Sequence, residues 1–254
     1  MPYTLLPLFC KKEISTFVFL CLLPFLSLSQ TQPVTGTDAQ ASALTDKVIK
    51  NMGGPKAWKD TRVLAWTWRN QYHVWDKATN NFRWEKDTLV VIANLNTRQG
   101  KAYSKGKDIS SEEAGKKLIQ NIYPVWANNS YWFIMPFKLK DNGVNVKYKG
   151  LGQTKAGEEA ELLELTFNQV GVTPDNRYIL AVDKKSGLIT EWSYFRKFTD
   201  EAPGFTMPWT DYKTYGKIKL SAGRGDAKMG MTDIAVTNKV PAAVFTSPTP
   251  ISKL

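Results

Sequence analysis

The chain carries one histidine, His73, and two cysteines, Cys10 and Cys21. A single imidazole excludes zinc sites built on two histidines and leaves only carboxylates to complete any metal shell. His73 falls on the polar face of a predicted strand, where it reads as a surface residue rather than a catalytic base. No G-x-S-x-G, H-E-x-x-H, Walker loop or dinucleotide fingerprint occurs, so those nucleophilic, zinc-dependent and nucleotide chemistries lack their residues. Basic side chains are dispersed rather than clustered, which argues against nucleic-acid binding. No catalytic residue, metal or cofactor is expected, and the chain is not read as an enzyme.

Both cysteines lie in an amino-terminal segment with the layout of a secretory signal. Lys11 and Lys12 precede an almost wholly apolar run over 14–28, which closes on Ser27-Leu28-Ser29. Small residues at that spacing predict a cleaved signal over 1–29. A membrane-spanning helix needs about 20 apolar residues. This run is shorter, and no basic cluster follows it in Gln30-Thr31-Gln32-Pro33. Leu20 before Cys21, with the apolar run continuing past it, argues against lipidation. The expected mature protein is soluble, unanchored, periplasmic and free of thiols, and so rests on its core rather than on disulfides. Cleavage removes Lys11, Lys12 and Glu13, so the net charge falls from +11 to +10. That balance suits either solubility through scattered lysines or an anionic membrane surface or ligand.

Hydrophobic residues make up 43% of the sequence and aromatic residues 12%, including 9 tryptophans, enough for a substantial core. Residues 30–40 read as a linker. A helix is predicted over 38–51 from the spacing of Ala41, Leu44, Val48 and Met52, with Gly53-Gly54-Pro55 as its stop. Leu64, Trp66, Trp68, Tyr72 and Val74 then alternate with Thr67, Arg69, Gln71 and His73 as one half-buried strand. A turn at 76–80 and a returning strand over 82–92 complete a hairpin. Ser110 and Glu113 form a capping-box pattern for a second helix with Ala114, Leu118, Ile122 and Trp126 on its apolar stripe, kinked or ended by Pro124. Further strands are expected near 98–103, 131–137, 144–150, 160–167, 177–183, 188–197, 206–213, 217–221 and 232–237, most of them joined by short turns. The fold class is therefore mainly β (α+β): an incomplete antiparallel barrel of about eleven strands with an amino-terminal helix and a helical lid.

The aromatic residues are the candidate binding surface. Trp66, Trp68, Tyr72, Phe82 and Trp84 come from the first hairpin, and Trp132, Phe137, Tyr148, Trp192 and Tyr194 from later strands. A curved sheet lined by such residues can hold a lipid or acyl chain. Periodicity alone favours the alternative, that the same side chains fill a solid core. The carboxylates Glu158, Glu159, Glu161 and Glu164 are read as a solvated strand face, with a carboxylate-based hydrolase as the minor alternative.

Several short segments, in order, resemble the LolA/LolB-like group of periplasmic lipoprotein carriers. They are Asp46-Lys47-Val48-Ile49-Lys50-Asn51-Met52-Gly53-Gly54, Asn81-Phe82-Arg83-Trp84, Asp183-Lys184-Lys185-Ser186-Gly187-Leu188-Ile189, and the closing run from Asn238 to Pro248. The resemblance covers about residues 41–248, leaving 249–254 as a tail, and the chain is similar to a Bacteroidota-type member of the group. It implies a half-barrel with a lid over 110–128, where Leu118, Ile122 and Trp126 would cover an apolar cavity. It also implies a hydrophobic ligand, with lipoproteins or a membrane surface as partners. The absence of a lipobox and the Lys-rich strands set the chain apart from the anchored and best-known members. A non-catalytic interaction domain with a filled core is the alternative function.

Overall fold

The computed structural model describes residues 38–254. The expected signal over 1–29, both cysteines and most of the 30–40 linker lie outside the described residues. Helix α1 (Ala39–Asn51) begins inside the expected linker, because Asp38 caps it by accepting from the Ala41 amide at 2.6 Å. Gly53-Gly54 ends α1 but opens a second helix, α2 (Gly54–Asp60), with Pro55 in its first turn. Gly53 has φ +113°, and a Cβ there would stand 2.4 Å from the Lys217 carbonyl. Glycine is thus required both by conformation and by the close approach of a strand backbone.

Strands β1 (Val63–Trp68), β2 (Gln71–Asp76), β3 (Asn81–Lys86), β4 (Leu89–Asn94), β5 (Gly100–Ser104) and β6 (Lys107–Asp108) form an antiparallel meander. β14 (Met231–Thr237) returns to pair with β1 and makes this a seven-stranded sheet. A second sheet orders β11 (Phe205–Pro208), β10 (Ile189–Phe195), β9 (Arg177–Asp183), β8 (Glu159–Phe167) and β7 (Val144–Gln153). β12 (Thr210–Tyr215) and β13 (Ile218–Gly223) form a separate ribbon. The described residues are thus mainly β, with fourteen antiparallel strands and no closed barrel.

The excess over eleven strands has local causes: β6 adds a short strand, the segment 131–137 is helical rather than extended, and three predicted strands are each two, the one over 82–92 turning at Asp87 (φ 53°) into β3 and β4. The strand predicted over 64–74 is two strands joined by Arg69 and Asn70, both at positive φ (50° and 58°), the conformation of a tight primed hairpin turn. The turn also corrects the faces. Trp66 pairs with His73 and Thr67 with Tyr72, and paired residues share a face. His73 therefore turns inward with Trp66, while Tyr72 and Val74 turn outward. The strand predicted over 206–213 is broken at Trp209, whose amide still donates to Thr190 of the second sheet and whose ring is completely buried.

The outward face of β1–β3 is not solvent. Val63, Ala65, Tyr72 and Val74 pack under Val244, Phe245 and Ile251. Arg83, fully buried, pairs with Glu85 at 2.6 Å and donates to the carbonyls of Val244, Ser247 and Thr249. The segment 249–254, expected as a tail, is thus bound along β2 and β3. Leu254 N donates to the Tyr72 hydroxyl at 3.0 Å.

Helix α3 (Glu113–Ile134) differs most from expectation. Glu112 occupies the N-cap, its carboxylate accepting from Lys107 at 3.1 Å rather than from the helix amides. Ser110 is not a cap, because its hydroxyl bonds Asp108 and the Ala102 amide. The helix runs through Pro124 and continues into a 3-10 turn, Met135–Lys138, over the segment expected to be a strand. Tyr131 to Phe137 is apolar without a period, and the helical form buries it on both sheets at once. Phe133 stacks on Trp66 of the first sheet at 5.3 Å, and Trp132 on Trp192 of the second at 4.5 Å. One continuous core results, shared by α1, α3 and the strands.

Candidate apolar ligand site

The inward residues of the meander are Leu64, Trp66, Trp68, His73, Trp75, Phe82 and Trp84, and α3 lies on them. Trp66 and Phe82 are fully buried, and Trp68 and Trp84 nearly so. Trp68 reaches Trp132 at 5.8 Å, and Trp192 reaches Trp209 at 5.3 Å. These side chains fill the space between helix and sheets rather than line an open chamber. Phe137 is likewise core, stacked on Trp58 at 4.5 Å, and lies in the 3-10 turn rather than in a strand. Tyr148 on β7 and Tyr194 on β10 are half-buried at the edge of this core. Tyr72 is a correction: it faces the opposite side, under the carboxy-terminal segment.

His73 is also corrected. Its ring is fully buried and stacked on Trp66 at 4.6 Å. Its Nδ1 lies 3.1 Å from the Trp66 carbonyl and its Nε2 2.9 Å from Asn129 Nδ2 on α3. A carbonyl on one side requires Nδ1–H, which leaves Nε2 to accept from Asn129. Burial pushes the imidazole pKa down to about 3, so it is neutral and holds α3 rather than moving protons. Gln71 extends the network, its Oε1 accepting from Trp84 Nε1 at 2.6 Å and from Asn129.

Arg224 fixes the last turn of the helix, close to Asn129. Its guanidinium donates to the Trp132 carbonyl at 2.7 Å and to Ser221, and lies 4.1 Å from the Trp209 ring centre. Burial lowers its pKa to about 9. A cation at the carbonyl-rich end of a helix is electrostatically favoured.

The expected lid residues divide along α3. Ile122 is buried in the core, while Leu118 and Trp126 are half-buried beside two openings. Leu118 borders an open groove of about 690 Å³ with Leu89 and Ile109, rimmed by Lys107, Glu112 and Lys117. Trp126 borders a smaller cavity of about 220 Å³ between the second half of α3 and β7–β9. Its wall includes Tyr131, Trp132, Val144, Phe167 and Tyr178, with Lys138 and Asp141 paired at the rim. Tyr131 meets Phe167, Tyr178 and Trp192 in edge-on or tilted contacts. This aromatic wall makes the smaller cavity the better candidate for an apolar guest.

Trp126, expected as a lid residue, and Trp132, expected on a strand lining the sheet, both stand on α3 at this cavity. Sequence reasoning missed Tyr131, Phe167 and Tyr178. The available signal was the unbroken apolar run from Tyr131 to Phe137, which also fits a buried helix.

The acidic strand forms an ion network whose central pair, Glu164 and Arg177, is largely buried. Glu164 on β8 meets Arg177 at 3.1 Å and Lys149 at 3.9 Å, and Glu161 meets Lys47 at 3.5 Å. Among the described residues no group of His, Cys, Asp and Glu stands together to hold a metal, and no helix is long and apolar enough to cross a membrane.

No family model matches the chain, and no curated protein matches it. Among solved structures, a DUF1329 family protein from Desulfovibrio piger ATCC 29098 is similar, with a TM-score of 0.41 and 12% identity. The likeness covers 81% of this chain and 96% of that one.

Proposed function

We propose that this chain is an exported, periplasmic and non-catalytic binder of an apolar ligand, either a lipid, an acyl chain or the acyl part of a lipidated protein. The observation that carries this is the aromatic-walled cavity of about 220 Å³ between α3 and β7–β9. The signal-like layout of 1–29 and the resemblance of the ordered segments to LolA/LolB-like carriers support the compartment and the class of ligand.

The volume bounds the guest. It equals the liquid share of about seven waters, room for part of an acyl chain. At about 0.8 kcal/mol per methylene, six methylenes contribute about 5 kcal/mol. Before association costs this corresponds to a Kd of a few tenths of a millimolar. A longer chain gains more only by displacing α3 or by running along its exposed flank.

Native mass spectrometry and fluorescent-probe displacement with C8 to C16 amphiphiles test the proposal. Ala127, on the cavity wall, is the position to fill. Binding to the wild type and its loss in Ala127→Trp, at unchanged thermal stability, supports the reading. A protein that ignores all such probes overturns it. The filled interior between α3 and the sheets favours a second reading, a non-catalytic interaction domain, which that negative result would leave standing.

A further inference from the structure

Five large apolar side chains are exposed among the described residues: Leu151, Val172, Phe198, Phe205 and Leu254. Three of them share one end of the second sheet. There β8 gives way to β9 through the loop over 168–176, which carries Val172. At the same end β10 gives way to β11 through the loop over 196–204, which carries Phe198, and Phe205 opens β11. Apolar residues exposed singly are ordinary, whereas a gathering of them marks an interaction surface.

The loops are anchored in a form that leaves these side chains out. Asn176 Nδ2 donates to the Arg196 carbonyl at 2.7 Å, and the Arg177 guanidinium donates to the Asp200 carbonyl at 2.5 Å. Phe198 stands between those two anchors and is 61% exposed. The mouth of the aromatic cavity lies at this end as well. Asn142, Val172 and Thr173 belong to its wall and are exposed. Phe205 stacks on Trp132 at 5.7 Å, and Trp132 is also in the wall. Apolar surface therefore continues from the cavity to its rim.

Charge distinguishes the kinds of partner. The chain as a whole carries +11. At this end Lys138, Lys140, Arg196 and Lys197 are matched by Asp141, Asp175, Asp200 and Glu201, so the turn over 138–143 and the two loops have no net charge. Such a surface has no net field with which to draw an acidic partner. It suits a zwitterionic lipid surface, where apolar side chains on separate loops pass between acyl chains and charges of both signs meet the headgroups.

We infer that this end of the second sheet docks on a lipid bilayer, with Phe198 and Val172 entering the acyl region and the cavity mouth turned to the lipid. This deepens the proposed function and rests on it for the choice of a bilayer over a protein.

The test is co-sedimentation of the full chain with phosphatidylcholine vesicles, at low and at about 0.5 M salt. Neutral vesicles keep the basic remainder of the chain from binding by charge. Equal binding at both salt levels is expected. Phe198→Asp is expected to weaken it at least ten-fold, with Val172→Asp as the second variant. Leu151→Asp is the control, because Leu151 is 69% exposed but stands seven residues along β7 from this end, about 23 Å away. It should bind as the wild type does. No binding to these vesicles, binding abolished by salt, or equal losses in Phe198→Asp and Leu151→Asp overturns the inference. A dimer that Phe198→Asp dissociates, in a protein that ignores vesicles, gives the surface to a second copy and overturns it too. Probe displacement in the cavity is read separately. Vesicle binding in a protein that takes up no amphiphile keeps the docking surface and removes the ligand site, and amphiphile uptake without vesicle binding does the reverse.

Discussion

Asn129 Nδ2 lies 2.9 Å from His73 Nε2, across the interface between α3 and the first sheet, in a contact from which solvent is excluded. It joins residues 56 positions apart and sets the rotation of the helix over the Trp66 face. Removing either partner leaves a buried polar atom without its mate. Asn129→Leu is therefore expected to cost about 1–3 kcal/mol, measured as a lower urea midpoint at unchanged m-value.

The same contact makes stability pH-dependent. The folded imidazole has its pKa lowered from 6.5 to about 3. Between those values the unfolded chain binds a proton that the folded chain refuses. Stability contributed by His73 is therefore complete above about pH 6.5 and is lost as pH falls towards 3, by about 1.4 kcal/mol per unit. Urea titrations of wild type and His73→Gln across pH 7 to 4 should converge on acidification. Parallel curves would show that the folded imidazole titrates normally.

Arg83 and Glu85 form a buried pair that also holds the carbonyls of Val244, Ser247 and Thr249. Arg83→Ala leaves Glu85 buried with only the Ile251 amide at 3.1 Å and the distant Lys253, 4.0 Å away. A loss of about 3–5 kcal/mol is expected, with rapid amide exchange and proteolytic cutting confined at first to 244–254. Replacing both with Met and Leu should restore part of the stability while leaving the segment loose.

Glu164 belongs to an ion network with Arg177 and the exposed Lys149. The Glu164 and Arg177 side chains are largely buried, so Glu164→Gln is expected to cost about 1–3 kcal/mol, between an exposed and a buried pair. It should also leave ligand binding at the aromatic cavity intact. A large loss of any hydrolytic turnover in this variant would revive the carboxylate reading.

The Arg69-Asn70 turn holds two non-glycine residues at positive φ. Replacing the pair by Asn-Gly, which favours that geometry, should raise stability by about 0.5–1 kcal/mol. Thermal unfolding reads the change.

Much of the architecture was legible from alternation and turn residues, and the errors share a physical origin. Arg69-Asn70 lacks the glycine that marks a primed turn, so one hairpin was read as one strand. The missed turn exchanged the positions of His73 and Tyr72, because odd pairing sums put even residues of β1 opposite odd residues of β2. The run Tyr131 to Phe137 carries no period because every side of it is buried, and its neighbours in space, not its own spacing, make it helical. The cavity wall was only partly visible for that reason. Trp126 and Trp132 were named, but Tyr131, Phe167 and Tyr178 meet only through the tertiary path of α3.

The carboxy-terminal strap also bears on how the chain reaches its fold. Tyr72 and Leu254 are bonded across 182 positions, Arg83 and Thr249 across 166, and β1 pairs with β14. Such contacts close very large loops before they return any stability. The first meander thus lacks the cover of its outer face until residues 231–254 have been synthesised. Folding should be slow, late and cooperative, and a nascent chain stalled before Met231 should remain protease-sensitive throughout its amino-terminal sheet.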